Sequence, residues 1–178
     1  MILQPTPLAG LLLVMPQPQR DERGLFVRTW CRESFLAAGV AFNPVQSSAS
    51  FNTLAGTLRG LHWQASPHGE TKLVRVTRGR IFDVAVDLRT DSTSHGRWFA
   101  TELDADGRAA LLIPPGFAHG FVTLEDATEV LYAMDAPHTS DAARGARWDD
   151  PAFGIAWPRS PSIASERDRS WPAYRGGP

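Results

Sequence analysis

Cysteine is almost absent: Cys31 stands alone in 178 residues. One thiol cannot close an internal disulfide, so nothing calls for an oxidising compartment, and there is no thiolate cluster for zinc or iron–sulfur. A surplus of one charge is missing too, since 18 Lys and Arg stand against 19 Asp and Glu, a formal net charge of −1. Proteins that track phosphate backbones or anionic lipid carry a basic excess, so neither nucleic acid nor a membrane is expected as a partner. Long hydrophobic runs are lacking as well. Leu8 to Met15 is the main apolar stretch; Pro5, Pro7 and Pro16 hem it in, and no basic segment precedes it. It is too short to span a bilayer and reads as a strand rather than a signal peptide. The expected location is the cytoplasm.

Several chemical signatures are also missing. The chain has no Walker-type loop, no GxGxxG after a strand and no nucleophile elbow, so neither nucleotide-fold redox chemistry nor serine hydrolysis is indicated. The five histidines are His62, His68, His95, His119 and His138, and no two form an HxH pair. A first-row metal site would want close imidazoles plus a carboxylate, so no metal is expected.

What is present is β-structure. Fifteen glycines and fourteen prolines are scattered rather than pooled, which predicts one domain over residues 1–178 with many short connections. A chain of this size builds its own core. From Arg80 to Leu88, Phe82, Val84, Val86 and Leu88 alternate with Ile81, Asp83, Ala85 and Asp87. That period near two is a strand with one markedly more polar face. Thr128 to Met134 alternates likewise, and Lys72 to Thr77 and Ala109 to Ile113 are further strands. Only Arg32 to Ala38 and a last turn at Ser165 to Trp171 look helical. The pattern predicts an all-β sandwich or barrel with two short helices.

Some polar residues are left over. GTLRGLHWQ (Gly56 to Gln64) sets Arg59 and His62 on either side of Gly60. Strict alternation would face them apart, and a bulge at Gly60 would bring both into one cavity. A surface arginine and a satisfied histidine fit this segment equally well. Lys72 opens a strand where a solvated lysine is the ordinary case. His119 lies among apolar residues between Gly116 and Gly120, and Tyr132, one of two tyrosines, sits on a strand face. Glu166 and Asp168 fall in a charged turn.

Together these stretches resemble the dTDP-4-dehydrorhamnose 3,5-epimerases. The motifs are DERGLF (Asp21 to Phe26), RGLHWQ (Arg59 to Gln64), KLVRVTRG (Lys72 to Gly79), DVAVDLR (Asp83 to Arg89), PPGFAHGF (Pro114 to Phe121) and WDDPAFGIAWP (Trp148 to Pro158). They run in family order from about Asp21 to Pro172. The resemblance implies a cupin-type jelly roll, a homodimer that exchanges N-terminal strands, and a nucleotide-sugar substrate held without metal or cofactor. It makes His62 the general base, Asp168 its partner (with Glu166 as the fallback), Tyr132 the general acid and Lys72 the group beside the keto oxygen. It also implies that Arg59, His119 and Gln46 line the pocket, Arg59 near the diphosphate, and that Arg23 and Phe26 reach the nucleotide of the neighbouring subunit.

The residue types suit that chemistry. Inverting a carbon beside a ketone means removing a proton to give an enolate and returning one to the opposite face. A neutral imidazole serves as base near pH 7, a carboxylate fixes its tautomer, and an ammonium offsets charge growing on oxygen. A binding cupin without turnover, or an isomerase that moves the ketone, would keep the same scaffold. Two positions depart from the family pattern: Arg28 stands where a glutamate is usual, and His138 where a second tyrosine is common. Both bear on which nucleotide sugar is bound.

Overall fold

The period-two segments close on one another in a computed structural model that describes residues 1–176. In chain order the elements are β1 (Ile2–Pro5), β2 (Leu12–Met15), β3 (Gln19–Asp21), β4 (Gly24–Phe26), α1 (Arg32–Ala37), β5 (Gln46–Asn52), β6 (Leu58–Gln64) and β7 (Lys72–Arg78). They continue with β8 (Arg80–Asp87), β9 (Trp98–Asp104), β10 (Ala110–Ile113), β11 (Phe117–Thr123), β12 (Thr128–Met134), β13 (Ala143–Gly145) and α2 (Glu166–Ser170). One sheet has the order β1-β2-β10-β7-β12-β5, and the other β13-β6-β11-β8-β9. A small hairpin, β3-β4, stands apart from both. From β5 to β12, successive strands cross between the two sheets except at the β8–β9 pair. That antiparallel to-and-fro is the jelly-roll form of the β-sandwich.

The core lies between the sheets. Val74, Val76, Leu111, Ile113 and Val130 from the six-stranded sheet meet Ile81, Ala85, Leu103, Phe117 and Phe121 from the five-stranded one. Each large side chain buried there contributes roughly 1.5–3 kcal/mol. The outer face of the five-stranded sheet, with Leu61, Val84, Val86 and Ala118, is covered by Phe153, Ile155 and Trp157 from the C-terminal segment. α1 covers the outer face of the other sheet through Phe35, which packs with Phe42 over Leu73 and Leu112.

The more polar face of β8 turns inward: Asp83 and Asp87 are fully buried with Ile81 and Ala85. Arg89, Ser92 and Ser94 satisfy Asp87, and Asp83 belongs to the site described below. The strand expected over Leu8 to Met15 is cut to β2, because residues 6–11 turn the chain. The Thr6 hydroxyl donates to the Leu11 carbonyl at 2.9 Å, and Leu11 N donates to the Leu8 carbonyl. Leu8 and Leu11 are nonetheless buried. Among the described residues no helix is long and apolar enough to cross a membrane.

Candidate active site

The site begins with a disturbed ladder between β6 and β11. Arg59 pairs with Phe121 and His62 with His119, so Gly60 and Leu61 together oppose the single residue Gly120. This is the bulge the sequence suggested. Gly60 has φ of +136°, and a Cβ there would stand 2.5 Å from the Gly120 Cα. Only glycine permits both the backbone angle and the close approach. Leu61 turns outward to exchange hydrogen bonds with Ala146. The bulge leaves Arg59 exposed and His62 half-buried, and Arg59 does not line the cavity that His62 does. Arg59 Nε donates to Asn52 Oδ1 of β5 at 2.8 Å, and His62 lines an open cavity of about 230 Å³ with Lys72 of β7, Arg144 and Arg167.

His62 is held from behind. Its Nε2 lies 2.6 Å from Asp168 Oδ1, and Asp168 is buried whereas Glu166 is exposed. Of the two acidic residues in the charged turn, Asp168 is therefore the one that meets the imidazole. The local fold explains the placement. Ser165 caps α2, its hydroxyl accepting from Asp168 N at 3.0 Å, so the carboxylate is fixed in the first helical turn. Trp171 then packs its ring edge-on to His62 at 6.4 Å and lies so close over Gly145 that no side chain could fit there. Burial pushes the Asp168 carboxyl up, but hydrogen bonds from His62, Ser165 and the Gly60 backbone, with the His62 charge, outweigh it and hold the carboxyl below its ordinary value. At neutral pH it is ionised. A neutral imidazole that meets this carboxylate carries its proton on Nε2 and presents Nδ1 as the acceptor.

The opposite wall comes from the six-stranded sheet. Lys72 pairs with Met134, two residues from Tyr132, so Lys72 and Tyr132 rise from one inner face. Tyr132 meets His119 edge-on with ring centroids 6.3 Å apart. Burial pushes the Tyr132 phenol well above its ordinary value; Ser50 and Arg59 pull it down, and Asp83 pushes it further up. It stays protonated across the working range of pH. His119 is held by its own carboxylate, with Nε2 at 2.7 Å from Asp83 Oδ1.

The remaining expected residues fall in two places. His138 is exposed at the rim of the His62–Lys72 cavity, and its backbone N–H donates to Gln46 Oε1 at 3.0 Å. Arg23, Phe26 and Arg28 are all exposed in or beside the β3-β4 hairpin. Phe26 and Arg28 line a different cavity of about 300 Å³ with Met1, Gln17 and Ser34. Within one protomer they are not brought to His62. Sequence reasoning overlooked Asp83 and Glu70 as site members. Asp83 had a signal, a carboxylate in the middle of an apolar strand. Glu70, 3.0 Å from the Lys72 ammonium, had none. Among the described residues no three His, Cys, Asp or Glu side chains gather as a metal site would need.

The dTDP-4-dehydrorhamnose 3,5-epimerase family model matches residues 5–175. The dTDP-4-dehydrorhamnose 3,5-epimerase of Sinorhizobium fredii (strain NBRC 101917 / NGR234) is 42% identical over 175 residues, 97% of this chain and 89% of that protein. The one from Methanothermobacter thermautotrophicus is 42% identical over 177 residues, 97% of this chain and 94% of that protein. The crystal structure of the Bacillus anthracis str. Ames enzyme, with TDP and pyrophosphate bound, superposes with a TM-score of 0.94 at 38% identity, covering 97% of this chain and 99% of that one. With the jelly roll, the paired histidines and this likeness over nearly its whole length, the chain belongs to the dTDP-4-dehydrorhamnose 3,5-epimerase family.

Proposed function

We propose that the chain carries out its family's reaction with His62 as base and Tyr132 as acid, converting dTDP-4-dehydro-6-deoxyglucose to dTDP-4-dehydrorhamnose by inverting C3 and C5. The observation that carries this reading is the placement of the two groups on facing sheets, His62 on β6 and Tyr132 on β12. A sugar ring between them meets a proton acceptor on one face and a donor on the other, as inversion requires.

His62 Nδ1 takes the proton from the carbon, and the C–H electron pair moves toward the C4 carbonyl to give an enolate. Lys72 stands beside the oxygen where charge grows; one such preorganised donor is worth about 3–4 kcal/mol. Tyr132 returns a proton to the opposite face of the same carbon, and solvent restores both groups. Asp168 keeps the imidazole in the right tautomer and stabilises its charged form. Acid–base assistance of this kind contributes roughly 10²–10⁴-fold. Only protons move, so the step asks for no electron carrier. Arg59, His119, Gln46 and His138 line the substrate.

The whole chain acts as one epimerase unit, in the cytoplasm where nucleotide sugars are supplied, and it works as a homodimer. Three features support the dimer: β5 ends its sheet with an unpaired edge, the β3-β4 hairpin is almost wholly exposed, and Phe26 is 71% exposed. A second copy that takes up the hairpin would cover this apolar surface and bring Arg23, Phe26 and Arg28 to the neighbouring site.

The test is turnover in D₂O. The product should be dTDP-4-dehydrorhamnose carrying deuterium at C3 and C5. Substrate recovered without carbon-bound deuterium would point to a binding protein, and a displaced carbonyl to an isomerase.

A further inference from the structure

Behind Lys72 runs a chain of polar contacts that none of the roles above uses. Glu70 Oε1 lies 3.0 Å from Lys72 Nζ, and the two side chains are only 9% and 15% exposed. The other carboxylate oxygen is taken as well, accepting from Gln64 Nε2 at 2.8 Å. Gln64, itself buried, also donates toward the His68 and Pro137 carbonyls, and its Oε1 accepts from Thr139 N. One buried amide thus ties β6 to the segment before β7 and to the loop carrying His138. The carboxylate it grips is the one that grips Lys72.

A lysine ammonium on its flexible four-carbon stem samples many rotamers when free. A carboxylate that is itself clamped selects one of them. We propose that Glu70 is the positioning residue for Lys72, holding the ammonium where the substrate's keto oxygen gains charge, with Gln64 holding Glu70 in turn. This rests on the assignment of Lys72 to that oxygen. The keto oxygen of bound substrate is neutral and gains little from the ammonium, whereas the enolate oxygen gains much. Loss of Glu70 therefore falls on kcat rather than KM.

The competing account makes Glu70 a staple of its loop with no link to the chemistry. The two differ in how substitutions combine, since residues acting through one another are not additive. The experiment measures kcat, KM and melting temperature for the wild type, Glu70→Gln, Lys72→Met and the double variant on the dTDP-4-dehydro sugar. Glu70→Gln should lower kcat about 10- to 100-fold, the scale of a reacting group misplaced by an ångström, with KM little changed. Lys72→Met should lower kcat about 10²- to 10³-fold, and adding Glu70→Gln should lower it no further. If Glu70→Gln does not fold, Glu70→Asp, which keeps the charge and shortens its reach, is read in the same cycle with a smaller loss expected. Wild-type kcat in the Glu70 variant, or an equal loss with and without Lys72, overturns the positioning role. Wild-type kcat in Lys72→Met would instead remove the assignment of Lys72, and this inference with it.

Discussion

His62 and His119 sit directly opposite each other on β6 and β11, and each imidazole Nε2 is held by its own buried carboxylate, Asp168 at 2.6 Å and Asp83 at 2.7 Å. The two differ in access. The His62 side chain is 41% exposed, facing the cavity, whereas that of His119 is 6% exposed, against Tyr132. One imidazole is therefore accessible from the cavity, and the other is packed against Tyr132.

Asp168 gives a pH-dependent prediction. Its carboxyl lies below its ordinary value once folded, so its stabilising effect is full above the unfolded value of about 3.9 and is lost as pH falls through the lower folded one. Urea melts of the wild type and Asp168→Asn between pH 5 and pH 3 should show a stability gap that narrows on acidification. A gap that widens toward pH 3 would contradict the charged pairing. At pH 7 the same variant should lose most turnover, because a neutral amide no longer dictates the His62 tautomer.

Gly60→Ala tests the bulge. The added carbon would meet the Gly120 backbone at a φ that L-residues avoid, so a loss of at least about 2 kcal/mol in unfolding free energy is expected. Chemical denaturation measures it. An unchanged midpoint would mean that β6 and β11 need no such approach.

How much of this was legible in the sequence depended on where the signal lay. β12 could be read residue for residue, because Thr128 to Met134 alternates cleanly. β5 could not: its sequence, QSSASFN, offers almost no apolar face, and its pairing comes from β12 alongside it. The polar face of β8 was visible, but its direction was not, since only the second sheet and the C-terminal cover show that both faces are buried. Asp168 and Glu166 are two residues apart in one turn, and only the fold of that turn, capped by Ser165, shows which meets His62. Glu70 looked like any surface glutamate, because its partners Lys72 and Gln64 matter only once β6 and β7 lie in facing sheets.

The N-terminal hairpin makes a third prediction. If its exposed side chains serve the neighbouring subunit, sedimentation should show a dimer, and Phe26→Ser should raise KM several-fold more than it lowers kcat. The same arm bears on the base. TDP should displace substrate better than CDP, UDP or GDP, and Arg28→Glu should leave that preference unchanged if the guanidinium faces away from the base. A monomer whose KM ignores Phe26→Ser would remove the arm from the site.

The opposed base and acid are tested most directly by comparing two variants in D₂O, following both carbon-bound deuterium and net inversion by NMR. Tyr132→Phe leaves His62 able to take the proton and hand back a deuteron on the same face. Exchange should therefore persist at a large fraction of the wild-type rate, while formation of dTDP-4-dehydrorhamnose collapses. His62→Ala should lose both by about 10²–10⁴-fold and still bind TDP in calorimetry. Equal loss of exchange and inversion in Tyr132→Phe, or near wild-type exchange in His62→Ala, would contradict the two-wall mechanism.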